Sequence, residues 1–135
     1  MTSENENTFL WPVRIYYEDT DSGGVVYYAN YLKYMERART EWLRAEGFEQ
    51  DELIAKNNVI FVVRSVQADY LLPARFNDEI IVSTKRVKKG KASITVEQVV
   101  KRNSDVLCVA TIKIACLTAD DFKPAVMPGD LYNKV

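Results

Sequence analysis

The chain of 135 residues contains no histidine. That absence removes a Ser-His-Asp or Cys-His nucleophile pair, a histidine general base and any histidine-ligated metal. The G-x-S-x-G, Walker A and G-x-G-x-x-G spacings are missing too, so nucleophile-elbow, P-loop and dinucleotide chemistry have no anchor. If the chain is an enzyme, carboxylates, backbone donors, lysines or tyrosines carry its reaction. No apolar run reaches membrane-spanning length, and residues 1–8 are polar and acidic rather than signal-like, so a cytoplasmic protein is expected. The formal net charge of −1 gives nucleic acid or an anionic membrane no general attraction, and any anionic ligand must meet a local basic cluster. Cysteine is scarce. Cys108 and Cys116 lie an even number of residues apart in a strand-like run, on one face but too distant to bond, and read as buried free thiols.

What is present is an ordinary globular composition, 47% hydrophobic and 27% charged, at a length suited to one domain with one core. Residues 1–8 lack apolar content and are expected to form a frayed, disordered tail, leaving residues 9–135 as the domain. Phe9 to Tyr17 alternates as a short strand. From about Tyr27 the period turns helical: Tyr28, Tyr31, Leu32, Met35, Ala38, Arg39, Trp42 and Leu43 share one stripe, opposite Lys33, Glu36, Arg37, Glu41 and Arg44. With Gly47 as the stop, this predicts a helix of about twenty residues. Glu49 to Lys56 adds a turn or two. Val59–Tyr70, Asp78–Val87, Ala92–Lys101 and Val106–Leu117 read as strands, with hairpin turns at Val87–Lys91 and Asn103–Asp105. The expected class is α+β: a curved antiparallel sheet of five to six strands wrapped around one long helix.

The stretch from Glu18 to Tyr31, E-D-T-D-S-G-G-V-V-Y-Y-A-N-Y, concentrates the chemistry. Glu18, Asp19 and Asp21 are candidate bases or nucleophiles, though acids in a turn also bond neighbouring N–H groups in Asx-turns. Three acids without histidine could hold Mg²⁺ or Ca²⁺, but the calcium-loop signature is not met and no metal is expected. Gly23-Gly24 lets the backbone pass close to a ligand, or simply turn. The helix that follows has no capping box; Asn30, its nearest cap residue, lies inside the apolar run, so its first N–H groups would be open to an incoming oxygen. Lys85, Arg86, Lys88, Lys89 and Lys91 form the densest basic cluster, readable as a solvated hairpin tip or a phosphate clamp.

The segment Y-Y-E-D-T-D-S-G-G-V-V-Y-Y-A-N-Y-L-K-Y-M-E-R-A-R-T-E-W-L, Tyr16 to Leu43, resembles the signature of hotdog-fold acyl-CoA thioesterases. It is similar to the 4-hydroxybenzoyl-CoA thioesterase family, in particular its Tol-Pal-associated (YbgC-type) branch. Weaker resemblance continues through F-V-V-R-S-V, Y-L-L-P-A-R-F-N-D-E and K-P-A-V-M-P, so it spans nearly the whole chain. The resemblance implies Asp21 as the catalytic carboxylate, nucleophile or general base. It implies an oxyanion donor from the backbone between Gly24 and Tyr28, the N–H of Tyr28 itself. It gives Lys88, Lys89 and Lys91 a partner in the phosphates of coenzyme A, which enters with the substrate, so no separate cofactor is expected. It further implies a homodimer or homotetramer with active sites at subunit interfaces, and acyl carrier protein as a possible carrier. The branch usually reads V-Y-H-A where this chain has V-Y-Y-A, so Tyr28 replaces a histidine while the backbone donor stays. The missing histidine excludes the related hydroxyacyl-thioester dehydratases. A hotdog module that binds acyl-CoA or acyl carrier protein without turnover is the alternative.

Overall fold

The computed structural model describes residues 8–135. Strand β1 (Thr8–Arg14) leads through a 3₁₀ turn (Tyr17–Asp19) to the long helix α1 (Tyr28–Ala45) and the short α2 (Gln50–Asn57). Four strands follow, β2 (Val59–Tyr70), β3 (Glu79–Gly90), β4 (Ser93–Arg102) and β5 (Asp105–Thr118), and then α3 (Gly129–Lys134). They form one five-stranded sheet in the order β1-β3-β4-β5-β2, antiparallel at every junction. This is the expected α+β arrangement.

Alternation decides which face of the sheet is covered. Ile80, Val82 and Thr84 of β3, Ile94, Val96, Gln98 and Val100 of β4, and Cys108 to Cys116 at every second position of β5 are all buried. Helix α1 lays Tyr31, Tyr34, Met35, Ala38, Trp42 and Leu43 on that face at helical spacing. Both cysteines are free and point into this core, and burial pushes the Cys108 thiol up to about 11. One polar network crosses the layer. Gln98 Nε2 donates to Met35 O (3.0 Å) and Thr84 Oγ1 (2.8 Å), while Arg39 donates to Gln98 Oε1 (3.0 Å). Arg39, which shares the apolar stripe in sequence, thus has a partner on the central strand.

Three boundaries differ from the sequence expectation. Strand β1 ends at Arg14 rather than Tyr17, because Asp19 Oδ2 accepts the Tyr16 N–H (2.8 Å) and curls the chain into the 3₁₀ turn. The expected tail, residues 1–8, lies outside the described residues except for Thr8, which already pairs with Lys85 in β1. Strand β3 runs on through the lysines to Gly90 across a bulge between Arg86 and Lys88, so the hairpin turn tightens to Lys91-Ala92. Helix α3 had no counterpart in the sequence reading; Leu131 buries it, and the Lys89 ammonium donates to Tyr132 O (2.6 Å) and Val135 O (3.3 Å).

Replacing Gln98 by Leu keeps the volume but strands the Thr84 hydroxyl and one Arg39 N–H. Urea unfolding should show a loss of about 2–3 kcal/mol, since each unsatisfied buried group costs about 1–3 kcal/mol.

Candidate active site

The start of α1 is held by the loop between β2 and β3. Tyr31, buried in the core, accepts the Ala74 N–H on its hydroxyl (2.9 Å), and Val26 N donates to Ala74 O (2.9 Å). Val25 bridges Arg75, Ile15 N donates to Asp78 O (2.9 Å), and Asn77 N donates to Ile15 O (2.9 Å). The loop itself is pinned by Asp78, whose Oδ2 accepts from Arg102 (2.8 Å) and from the Arg75 N–H (2.9 Å). Burial pushes the Asp78 carboxyl up, but the Arg102 guanidinium and the Arg75 N–H outweigh it and hold the carboxyl below its ordinary value.

On this dock sits the acidic loop. Asp21 N donates to Val25 O (2.9 Å), Gly24 N to Asp21 O (3.0 Å), and Gly23 N to Asp21 Oδ1 (2.8 Å). The Asx-turn reading of an acidic loop is therefore realised by Asp21 itself. Only one of its oxygens is used; Oδ2 has no partner among the described residues and the side chain is exposed. Gly24 has φ +77°, a conformation that favours glycine, and a Cβ on Gly23 would lie 3.3 Å from Asp21 Oδ1 and push that carboxylate aside by a few tenths of an ångström. Glu18 is exposed, whereas Asp19 is partly buried and bonded within the loop.

Helix α1 begins with no side-chain cap on Tyr27. Asn30 does not cap it; its Nδ2 turns back to donate to Asp19 O (2.8 Å). The N–H groups of Tyr28 and Ala29 have no acceptor among the described residues. These donors, at the positive end of the helix dipole, open beside the loop that carries Asp21.

A cleft of about 200 Å³ adjoins this helix start, lined by Val25, Val26, Tyr28, Tyr31 and the run Tyr70-Leu71-Leu72-Pro73. Tyr70 meets Tyr28 at 5.0 Å and Tyr31 at 5.5 Å between ring centroids. The sequence reading gave Tyr70 only as the end of a strand and residues 71–73 only as a connection, so their part in this cleft was missed. The available signal was an apolar run in a loop, which is unusual for a surface segment. A second cleft, about 320 Å³ between α1, α2 and β2, is lined by Arg39, Trp42 and Phe61 and contains none of the expected catalytic residues. Lys88 and Lys91 are exposed at the tip of the β3–β4 hairpin, while Lys89 is already engaged by the C-terminal segment. Among the described residues no cluster of three or more acidic or cysteine side chains could hold a metal ion.

The sequence pattern of the thioesterase superfamily matches residues 23–109, beginning just after Asp21. The chain belongs to that superfamily. It is 43% identical to the acyl-CoA thioesterase YbgC of Haemophilus influenzae over 126 residues, 93% of each chain. It is 40% identical to the acyl-CoA thioester hydrolase YbgC of Escherichia coli O157:H7, over 94% of this chain and 95% of that one. Among solved structures, a probable thioesterase from Bartonella henselae superposes with a TM-score of 0.86 at 31% identity, covering 90% of this chain and 99% of that chain. The 4-hydroxybenzoyl-CoA thioesterase of Pseudomonas sp. strain CBS-3 shares the fold, with a TM-score of 0.89 at 17% identity, covering 96% and 99%. The thioesterase fold here is thus the hotdog arrangement expected from sequence.

Because Asp78 ionises at lower pH folded than unfolded, its stabilisation is complete above about pH 4, the ordinary aspartate range, and fades as pH falls through the folded value. Acid unfolding followed by circular dichroism should show Asp78→Asn less stable near neutrality, with a shallower decline below about pH 4 than the native chain.

Proposed function

We propose that the protein hydrolyses acyl-CoA thioesters to a free acid and coenzyme A in the cytoplasm, with Asp21 as the reacting carboxylate. The observation that carries this reading is a loop whose Asp21 carboxylate keeps one oxygen without a partner and which leads into helix-start N–H groups that also lack one, with Tyr28 on the wall of an apolar cleft. A thioester carbonyl placed over the helix start meets the Tyr28 N–H, which stabilises the oxyanion formed when a nucleophile adds. Removing such a donor typically costs about 2.7–4 kcal/mol. Asp21 either attacks the carbonyl carbon itself or takes a proton from a water that does. Gly24 permits the turn that brings the two halves together, and the Tyr28-Tyr70 rim receives the acyl group. The names of the YbgC relatives support acyl-CoA as the substrate.

The lysines fit a shared site. Lys88 lies about ten residues along β3 from Asp78, roughly 30 Å at strand rise, so it would serve the Asp21 of a neighbouring copy. Of the three, Lys88 and Lys91 are available for phosphate; Lys89 would have to leave Tyr132. The free edge of β2, with Val63 and Val66 exposed, supports a homodimer formed by strand pairing, or a homotetramer of such dimers. A charge at Val66 would be buried by such pairing, so Val66→Lys should shift the native oligomer to monomer in analytical ultracentrifugation. A native chain that is already monomeric at micromolar concentration and fully active would reject the assembly.

Hydrolysis of a panel of acyl-CoAs, with thiol release as the readout, tests the reaction. Asp21→Asn should lose at least about a hundredfold in kcat and retain its fold by circular dichroism. Equal rates for the two proteins reject the catalytic role. Saturable coenzyme A binding without thiol release would favour instead a non-catalytic module for acyl-CoA or acyl carrier protein.

A further inference from the structure

Three segments of the chain converge on Asp19. The chain leaving β1 reaches it through the Tyr16 N–H, which donates to Oδ2 at 2.8 Å. The returning loop reaches it through the Tyr27 N–H, which donates to the Asp19 carbonyl at 3.3 Å. Helix α1 reaches the same carbonyl through Asn30 Nδ2 at 2.8 Å. From beneath, the Tyr34 hydroxyl is buried without a hydrogen-bond partner. Burial first, and then the nearby Asp19 carboxylate, push that hydroxyl well above its ordinary value.

The arrangement is an inverted cap. In a capping box, a side chain at the third helical position turns back to the backbone N–H of the residue that opens the helix. Asn30 occupies that third position, but its amide bonds the Asp19 carbonyl, and that carbonyl takes the Tyr27 N–H in its place. The entrance of α1 is therefore tied to the acidic loop, not to itself. Asp19 lies two residues from Asp21, so whatever fixes Asp19 against the helix also fixes the carboxylate of Asp21 against the open N–H groups of Tyr28 and Ala29.

We infer that Asn30 is a positioning residue acting through Asp19: it sets the separation between the Asp21 carboxylate and the helix-start donors, and touches no substrate atom. The inference rests on the thioesterase reading above. Its signature is a loss confined to the catalysed step, since a small misplacement of reacting groups can cost up to about a hundredfold in rate.

The test measures kcat, KM and melting temperature for Asn30→Ala, Asn30→Asp and Asn30→Gln, each alone and combined with Asp21→Asn. Asn30→Ala removes the donor, Asn30→Asp sets an acceptor against the carbonyl, and Asn30→Gln keeps a donor on a longer arm. Asn30→Ala and Asn30→Asp should lower kcat about 10- to 100-fold with KM within about threefold, and Asn30→Gln should recover part of the loss. In the Asp21→Asn background none of them should lower the residual rate further, because groups that act as one unit are not additive. An unchanged kcat, a loss that follows the unfolded fraction, or an equal loss in the Asp21→Asn background would each overturn the positioning role. If Asp21→Asn alone keeps the native rate, it is the reading of the site that fails, whatever Asn30 does.

Discussion

The two-way backbone pairing of Ala74 is the constraint on which the rest of the site depends. Ala74 sits fully buried in a loop, where both of its peptide groups need partners. Its carbonyl takes Val26 N and its N–H goes to the Tyr31 hydroxyl, so the residues on either side of the helix start close onto one buried peptide. Burial pushes the Tyr31 hydroxyl up and keeps it neutral, able to accept that bond. Because Tyr31 also packs between helix and sheet, the position of the helix start is inherited from the core rather than from a flexible loop. The Asp78–Arg102 pair then anchors the far end of the same loop to β4.

With the helix start fixed from below, the acidic loop can remain thin and largely exposed. Its geometry is written in backbone hydrogen bonds and two glycines, not in packed side chains. The polar groups it leaves open are few: one carboxylate oxygen of Asp21 and the main-chain N–H groups of Tyr28 and Ala29. In a chain without a single histidine, the loop and helix start thus present a partly unpartnered carboxylate, open N–H groups and an adjoining apolar cleft. The Tyr28 ring, for its part, packs on Tyr70 at the wall of the cleft, while its N–H stays without an acceptor among the described residues.

Much of the fold was legible because its elements are half-buried and therefore periodic. Strand β2 begins and ends where alternation and flanking turn residues placed it, and α1 buries Tyr31, Met35, Ala38, Trp42 and Leu43 of the stripe read in sequence, with Tyr34 added and with Tyr28 and Leu32 exposed. Failures came where a local bond overrode the pattern. Tyr16 and Tyr17 continue the alternation of β1, but the Asp19 carboxylate captures the Tyr16 N–H and ends the strand. The lysine run looked like a turn by its charge, yet a bulge lets it continue as strand with exposed ammonium groups. In the site, Asp21, the glycines and the uncapped helix were visible because they are contiguous. The Tyr70–Pro73 wall was not, because it reaches Tyr28 only through the folding of β2 beside the helix. The partner of Arg39 was hidden for the same reason: Gln98 lies 59 residues away in sequence.

The two buried thiols give the molecule its own reporters of opening. Cys108 and Cys116 sit at opposite ends of the helix-facing side of β5, one alongside Tyr70 and the other alongside Phe61. A thiol reagent can reach either only when the layer between helix and sheet parts at that end. Labelling rates at the two positions would therefore clock the breathing of the active-site end and the distal end separately, in a chain with no other cysteine to confuse the signal.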